Sequence, residues 1–417
     1  MKISVVNKWD IGGGAARAAF RLANALKCDG HDVTYFVNEK NSQLDWVMVA
    51  NEFDLFDKEE RSQVNIDFNR TVCSNTYFSS TQSLLSKNSL IEMSKADVVN
   101  IHWVEKFLST RAIKSILDLQ KPIVWTLHDE RPLTGGCHYT AGCKQNVTSE
   151  CLGCIQLNEP ARDIPNSDFN LKMKLLAGTN ITFVSPSHWL ADQAKKSKIF
   201  SDHRIEVIPN SVEVDIFKPH NKKLAREILH LPQDGFIILF GCQDAKEKRK
   251  GYDLLIEAMG FFLNDTLIQS RYNNKKPHVL MFGEDGKNQW ELNVDRTFLG
   301  KISDDAELAL IYSAADLFVL PSTEDNLPNT VLESMACGTP CVSFNLGGTS
   351  DMVRSGESGF LSAVPNARGF SQMILNAYLN PFLMETMSIK CVDIVRSEFT
   401  KEIQVENYIK IFSDILI

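Results

Sequence analysis

The chain has 417 residues, which is more than one hydrophobic core usually organises, so its length predicts two or three domains. A composition of 44% hydrophobic and 23% charged residues excludes a disordered or fibrous protein, and the net charge of -8 argues against broad nucleic-acid binding. No window approaches the roughly 18 apolar residues of a membrane-spanning helix, and the N-terminus becomes polar too early for a signal-peptide core. We therefore expect a cytoplasmic protein whose cysteines are mostly thiols or metal ligands.

Short β-rich runs alternate with longer helical patterns along almost the whole chain, which is typical of parallel sheets built from β-α-β units. The first series of predicted strands comprises Lys2–Asn7, Asp32–Val37, Asp97–Trp103, Pro122–His128, Ile181–Ser185 and Ile205–Ile208. The second series comprises Phe236–Gly241, Val279–Gly283, Thr297–Leu299, Leu317–Leu320 and Cys341–Phe344, with helices such as Gly251–Phe262 and Asp305–Ala314 between them. The proline-containing segment IPNSVEVDIFKPH separates the two series and predicts an interdomain linker.

Unusual residues stand at the carboxyl ends of the predicted strands. Gly12–Gly14 follows the first strand, His128 ends the fourth, and the basic run Lys246–Lys250 follows Gly241. Asp325 and the pair Gly347–Gly348 follow two later strands. Because open α/β sheets bind ligands at the carboxyl ends of their strands, two such domains facing each other would gather these residues around one cleft.

The most informative segment runs from Pro321 to Pro340 and combines a buried strand, a turn containing Asp325, and a helix containing Glu333. The helix start would present free backbone N–H groups to a phosphate, while the carboxylates would accept hydrogen bonds from sugar or ribose hydroxyls. The alternative is an ordinary helix N-terminus, with Asp325 as a cap and Glu333 on a solvated face.

The stretch ADLFVLPSTEDNLPNTVLESMACGTPCVSFNLGGTSDMVRSGESGFL resembles the signature of glycosyltransferase family 4, retaining enzymes with two Rossmann-like parallel-sheet domains facing a central cleft, the GT-B architecture. The family motif is a Glu, seven intervening residues, and a second Glu that opens a helix ending in a small-residue segment. Aligned on Glu333, the first carboxylate falls on Asp325. The resemblance therefore implies that Asp325 contacts the donor sugar and that Glu333 binds the ribose of a nucleotide-sugar donor.

Further donor contacts follow from the same resemblance. Asn326, Leu327 and Pro328 stand where the family usually has Gly-Phe-Gly, so the backbone contacts to the donor differ in detail. The residues that the resemblance places at the donor are Asn326, Leu327, Asn329 and Thr330.

The basic segment KEKRKGYDLLIEA follows the strand FIILFG. A lysine and an arginine at the mouth of a sheet can neutralise a leaving diphosphate, whereas a charge run elsewhere is usually a solvated face. Similar family members have a Lys-Gly pair that opens this helix, which maps to Lys250 and Gly251. Their arginine after the preceding strand is absent here, and Arg249 is the substitute that we expect.

Two features of the N-terminal half also bear on the site. Gly12–Gly14 permits close approach of the backbone to a ligand but equally suits a tight strand-to-helix turn. The resemblance places a glycine-rich loop beside the donor phosphates, which assigns Gly13 and Gly14 to donor binding. His128 alone suits a structural role as well as a catalytic one, and the resemblance implies contact with the donor sugar, with Asp129 as a neighbour.

An insert rich in cysteine follows His128. Cys137, Cys143, Cys151 and Cys154 could complete a tetrahedral structural zinc site, with His138 able to replace one thiol, or they could be buried thiols or form a disulfide. A similar Gly-Gly-Cys-His-Tyr segment with spaced cysteines occurs in family members resembling bacterial colanic-acid and exopolysaccharide transferases.

The resemblance predicts a domain over residues 1–210 on the acceptor side, a nucleotide-sugar domain over 220–394, and a helix over 395–417 that packs back on the first domain. The implied reaction moves a sugar from a nucleotide-diphosphate sugar to a glycan or lipid-linked acceptor of a bacterial surface polysaccharide, with no metal required for catalysis. A lipid-linked acceptor would bring the protein to the inner face of the membrane. The alternatives are a nucleotide-sugar epimerase of the same fold and a catalytically silent sugar-nucleotide binding protein.

Overall fold

The computed structural model describes residues 1–50, 63–74, 76–80, 85–244, 247–271, 277–284 and 292–417. The chain divides into two compact units. The N-terminal unit comprises Met1–Asn210 together with Lys401–Ile417, and the C-terminal unit comprises Ser211–Thr400.

The N-terminal unit is built on a seven-stranded parallel sheet with the order β3-β2-β1-β4-β5-β6-β7. Its strands are β1 Lys2–Trp9, β2 Asp32–Glu39, β3 Val47–Val49, β4 Val98–Ile101, β5 Ile123–Thr126, β6 Thr182–Ser185 and β7 Arg204–Val207. The helices between them are α1 Gly13–Cys28, α2 Lys87–Ser94, α3 Thr110–Leu117, α4 Gln145–Thr148, α5 Ile164–Leu176 and α6 His188–Lys196.

The C-terminal unit repeats this arrangement with a six-stranded parallel sheet of order β10-β9-β8-β11-β12-β13. Its strands are β8 Phe236–Asp244, β9 Pro277–Glu284, β10 Asp295–Phe298, β11 Leu317–Leu320, β12 Cys341–Phe344 and β13 Gly359–Ser362. Its helices are α7 Lys222–Ile228, α8 Tyr252–Leu263, α9 Thr266–Arg271, α10 Asp305–Ala314, α11 Asn329–Ala336, α12 Thr349–Met352, α13 Ala367–Leu379 and α14 Pro381–Glu398.

The inner strands of each sheet are buried on both faces and are nearly continuous apolar runs, as in β5 and β11. In the N-terminal unit, Val5 belongs to the core on one face of the sheet and Val6 to the core on the other. In the C-terminal unit, Ile237 and Ile238 divide in the same way. Helices cover the faces, so the two-domain parallel-sheet prediction is confirmed.

The last helix, α15 Lys401–Ile415, belongs to the N-terminal unit although it follows the whole C-terminal unit in the chain. Its Tyr408 and Phe412 pack in the same core as Leu26 of α1. The Gln404 side chain donates a hydrogen bond of 3.0 Å to the carbonyl of Pro209. The terminal helix is therefore part of the N-terminal core.

Candidate active site

The strand order of each sheet reverses at one point, between β1 and β4 in the N-terminal unit and between β8 and β11 in the C-terminal unit. The loops after these adjacent strands diverge to opposite faces and leave a crevice, where open α/β sheets bind their ligands. Gly12–Gly14 follows β1, and the turn of 3-10 helix Lys248–Lys250 follows β8. Asp325 lies in the loop after β11.

At the reversal point of the C-terminal unit, a lysine and an arginine meet one buried carboxylate. The Nζ of Lys250 lies 2.6 Å from Oδ2 of Asp325, and Nη1 of Arg249 lies 3.4 Å from the same oxygen. Burial is the largest effect on the Asp325 carboxyl and opposes its ionisation. The charges of Lys250 and Arg249 and the hydrogen bonds to the carboxylate together outweigh burial, so the pKa of Asp325 lies below its ordinary value. Lys246, the first residue of the basic run, lies outside the described residues.

Glycine makes the approach of the two loops possible. Gly251 has a φ of +69°, and a Cβ there would lie 2.0 Å from the carbonyl oxygen of Pro321. The N–H of Thr323 donates to the carbonyl of Arg249 at 2.8 Å, which joins the loops through their backbones. A side chain at position 251 would therefore separate the basic turn from Asp325.

The backbone of Asp325 is held from its other side by the loop after β12. Gly347 has a φ of +61°, and a Cβ there would lie 1.8 Å from the Asp325 carbonyl oxygen. The N–H of Gly348 donates to that oxygen at 3.2 Å. The loops after three neighbouring strands thus fix the position of Asp325.

Arg249 is oriented by groups that the sequence motifs do not single out. Its Nε donates to Oε1 of Glu247 at 2.8 Å, and its Nη1 donates to the carbonyl of Glu324 at 3.0 Å. These bonds direct the guanidinium toward the loop that carries Asp325.

Glu333 lies in the middle of α11 and is only 2% exposed. The hydroxyl of Tyr312 donates a hydrogen bond of 3.2 Å to its Oε2. Helix α11 has Pro328 at its N-cap and no side-chain cap, so Asp325 does not cap it and Glu333 is not on a solvated face.

The remaining residues expected at the donor lie around the start of α11. Asn329 and Thr330 form its first turn and are half-buried. Asn326 is buried, and the Leu327 side chain packs in the hydrophobic core, which leaves only the Leu327 backbone for contact with a ligand.

At the reversal point of the N-terminal unit, Gly12 and Gly13 both have positive φ values, of 111° and 70°. Helix α1 begins at Gly13, so Gly13 and Gly14 belong to its first turn. The first N–H groups of a helix have no partner within the helix, which suits them to an anionic ligand. The N-cap residue is Gly12, which has no side chain of its own to cap the helix.

His128 follows β5 and contacts His102, which follows the adjacent strand β4. The distance between His102 Nδ1 and His128 Nε2 is 3.0 Å. Burial lowers the pKa of His128 to about 4, and it lowers the pKa of His102 well below the ordinary value, with His128 adding to the effect. Both rings are neutral at pH 7. His102 is absent from the predicted site, although its position at a strand end is the signal that identified His128.

Asp129 and His138 form a separate buried pair. The carboxylate of Asp129 accepts from Nδ1 of His138 at 2.7 Å and from Nε1 of Trp103 at 2.8 Å. The other nitrogen of His138 lies 2.9 Å from Oγ of Ser79. Both ring nitrogens of His138 therefore have hydrogen-bond partners other than the four cysteines.

The four cysteines of the insert line one cavity of about 20 Å³. Burial raises the pKa of Cys137 well above its ordinary value and that of Cys151 to about 11. Among the described residues, no three His, Cys, Asp or Glu side chains are arranged to hold a metal ion.

Two family models match the chain, one mainly in the N-terminal unit and one within the C-terminal unit. The model for "Glycosyltransferase Family 4" matches residues 12–216, and the model for "Glycosyl transferases group 1" matches residues 235–380.

Over its described part, the chain contains no helix that is both long and apolar enough to cross a membrane.

Curated relatives match over part of the chain. The chain is 27% identical over 219 residues to D-inositol 3-phosphate glycosyltransferase 1 of Catenulispora acidiphila, which is 48% of this chain and 50% of that protein. It is 30% identical over 119 residues to N-acetyl-alpha-D-glucosaminyl L-malate synthase of Bacillus anthracis, covering 28% of this chain and 30% of the relative. The matches span half or less of the length of these relatives.

Solved structures are similar over nearly the whole chain. Anabaena HepE in complex with UDP-glucose has a TM-score of 0.68 at 14% identity, covering 99% of this chain and 100% of that one. Sucrose-phosphate synthase from Thermosynechococcus elongatus has a TM-score of 0.67 at 17% identity, covering 99% and 98%. At these identities the likeness concerns the fold.

Proposed function

Because the chain belongs to the glycosyltransferase family that these two domain models describe, we propose that it transfers a sugar from a nucleotide-diphosphate sugar to a hydroxyl of an acceptor. The observation that carries the proposal is the contact of Lys250 and Arg249 with Asp325 at the reversal point of the C-terminal sheet. Two cations and a carboxylate in one buried site match the two parts of such a donor, a diphosphate and a polyhydroxylated ring.

The diphosphate binds at the cationic side of the site. Lys250 and Arg249 neutralise the charge that builds on the departing diphosphate, together with the N–H groups of the first turn of α11. Asp325 accepts hydrogen bonds from the sugar hydroxyls, and Glu333 accepts them from the ribose. His128 contacts the donor sugar.

The reaction retains the configuration of the anomeric carbon. The acceptor oxygen attacks C1 of the sugar on the face that the diphosphate leaves, the C1–O bond to the diphosphate breaks, and the acceptor proton passes to a departing phosphate oxygen. No side chain forms a covalent intermediate. The protein positions both substrates and stabilises an oxocarbenium-like transition state.

The acceptor that we propose is a glycan or lipid-linked sugar of a bacterial surface polysaccharide. The insert after His128 supports this acceptor. A similar segment with spaced cysteines occurs in family members that resemble exopolysaccharide transferases. Named relatives act on other acceptors, as the names D-inositol 3-phosphate glycosyltransferase and N-acetyl-alpha-D-glucosaminyl L-malate synthase state. The acceptor of this chain is therefore to be identified by product analysis.

We also propose that Cys137, Cys143, Cys151 and Cys154 hold one structural zinc ion, while catalysis requires no metal. The four thiols share one small cavity, and the N–H of Gln145 donates to Sγ of Cys143 at 3.4 Å. Such N–H to sulfur bonds favour the thiolate form that binds zinc. The sulfurs would have to converge on the ion, since they do not form a metal-binding group as they stand.

A panel of UDP-, GDP-, ADP- and dTDP-sugars tests the proposed reaction. We expect one donor to release its nucleoside diphosphate, faster when a lipid-linked or glycan acceptor is added, with NMR showing the donor's anomeric configuration in the product. Conversion of the donor sugar without release of nucleotide would identify an epimerase. Tight donor binding without turnover under any condition would identify a silent binding protein.

A further inference from the structure

The contact between His102 and His128 is one link in a chain of buried hydrogen bonds. Strands β4 and β5 pair with Asn100 opposite Val124, which places both histidines just beyond the carboxyl ends of the strands. His102 is 3% exposed, and its two ring nitrogens face Asn100 and His128. The orientation of the Asn100 amide determines which atom donates and which accepts in each of these hydrogen bonds.

A backbone carbonyl settles the orientation of the Asn100 amide. Nδ2 of Asn100 lies 3.1 Å from the carbonyl oxygen of Val124 and 3.1 Å from Oγ1 of Thr126. A carbonyl oxygen can only accept, so the NH₂ group must face Val124 and Oδ1 must face the other way. Rotating the amide by 180° would place two acceptors against each other.

The tautomers of both histidines follow from this orientation. Oδ1 of Asn100 lies 2.8 Å from Nε2 of His102, so Nε2 carries the proton and Nδ1 carries the lone pair. That lone pair faces Nε2 of His128 at 3.0 Å, so Nε2 of His128 is the donor. In the neutral His128 ring, the lone pair is then on Nδ1.

The far end of the chain of hydrogen bonds lies in the terminal helix. Oγ1 of Thr126 is 2.9 Å from the hydroxyl of Tyr408, a residue of α15 that is 1% exposed. The hydrogen-bonded chain therefore runs from Tyr408 through Thr126, Asn100 and His102 to His128. The terminal helix completes it inside the N-terminal unit.

We propose that Asn100 and His102 are positioning residues that hold His128 in the tautomer with Nδ1 as its acceptor. His128 then accepts a hydrogen bond from a hydroxyl of the donor sugar and does not act as an acid. This role rests on the proposed function, because it assumes that His128 meets the donor. The tautomer itself does not depend on any substrate.

The tautomer is measured by NMR of the full chain labelled with ¹⁵N-histidine, without substrate. We expect a protonated Nε2 and an unprotonated Nδ1 for His128, with its signals assigned by their loss in His128→Asn. A proton on Nδ1 of His128 in the unsubstituted protein would overturn the proposal. Because the measurement uses no substrate, its outcome does not depend on whether the protein transfers a sugar.

Two substitutions of His102 separate positioning from packing. The Asn of His102→Asn can place its oxygen where Nδ1 stands and keep an acceptor for His128, whereas His102→Leu fills similar space without an acceptor. We expect His102→Leu to lower kcat roughly three- to tenfold with little change in the donor KM, because one neutral hydrogen bond is lost. His102→Asn should restore the rate and the His128 spectrum.

His203→Leu is the matched control, since His203 is a half-buried histidine of the same unit whose Nε2 faces Leu176 and Thr179. It should leave the His128 spectrum and kcat unchanged. The proposal would be contradicted if His102→Asn and His102→Leu lost kcat equally and the tautomer of His128 were unchanged in both. His102 would then contribute only to packing. If His102→Leu does not fold, the spectra of the unsubstituted protein and of His102→Asn still decide the tautomer.

Discussion

Lys250 donates a hydrogen bond of 2.6 Å to Asp325, a residue 75 positions further along the chain. The pair joins the loops after β8 and β11, the two strands at which the sheet order reverses. Both side chains are mostly buried, so their charges act in a medium less polar than water and affect each other strongly. An incoming diphosphate would share the Lys250 ammonium with Asp325.

We expect Lys250→Ala to lower donor turnover by the equivalent of roughly 2–4 kcal/mol, because one charge-assisted contact to the leaving group is lost. The fold should survive, since Arg249 still lies 3.4 Å from the Asp325 carboxylate. Steady-state rates and thermal unfolding measure the two effects. Lys248→Ala is the matched control, because Lys248 is an exposed lysine of the same turn. If Lys250→Ala turned over the donor at nearly the rate of the unsubstituted protein, Lys250 would not be part of the donor site.

Glu333→Gln tests the ribose contact. Gln has the same shape and keeps an oxygen that can accept from Tyr312, but it lacks the charge that strengthens bonds to ribose hydroxyls. We expect weaker binding of the nucleotide in calorimetry with little loss of stability, whereas Glu333→Ala should weaken both because Glu333 is buried. Tyr312→Phe leaves the carboxylate in place and serves as the control. Unchanged nucleotide affinity in Glu333→Gln would contradict the assignment.

The two neutral histidines predict a loss of stability in acid. The folded-state pKa of His128 is about 4 and that of His102 is also lowered, so the unfolded chain binds more protons below its pKa of about 6.5. The free energy of unfolding should therefore fall as the pH drops from 6.5 toward 4, by up to about 1.4 kcal/mol per pH unit for each ring.

Denaturant titrations between pH 7 and 4.5 measure how the free energy of unfolding changes with pH. The neighbouring Asp129, whose pKa is lowered in the folded protein, contributes mainly at lower pH. His128→Asn and His102→Asn should each flatten the slope of this pH dependence. The exposed His188 provides the control His188→Asn, which should leave the slope as it is. A slope that neither substitution changes would show that the two rings are not the source.

Elemental analysis of protein purified without added metal tests the zinc proposal. We expect about one zinc per chain, with sulfurs at about 2.3 Å from the ion, and loss of the metal in the Cys151→Ser, Cys154→Ser double variant. The insert should then lose order, because a closed structural site contributes to folding. Cys28→Ser, at an exposed cysteine, should keep the metal. Four titratable thiols and no zinc would make the cluster a set of packed cysteines.

The sequence alone determined most of the fold, because the sheet strands and helices depend on local patterns. The predicted strands Leu317–Leu320 and Cys341–Phe344 and the predicted helix Asp305–Ala314 have the observed bounds. Two short strands, β3 and β13, were not predicted. The predicted strand Pro122–His128 extends beyond β5, which ends at Thr126, since its apolar pattern continues into the loop where His128 meets His102.

Only the tertiary structure decided which residues of the candidate site meet. Lys250 and Asp325 belong to loops far apart in the chain, and strand order alone brings those loops together. The same holds for His102 and His128, which meet because β4 and β5 pair in one register. The spacing of apolar residues in the sequence indicates which face of a helix or strand is buried. Which strands pair with each other depends on packing over the whole unit. The placement of residues at strand ends was therefore readable from the sequence, and the charge pairs and histidine tautomers were not.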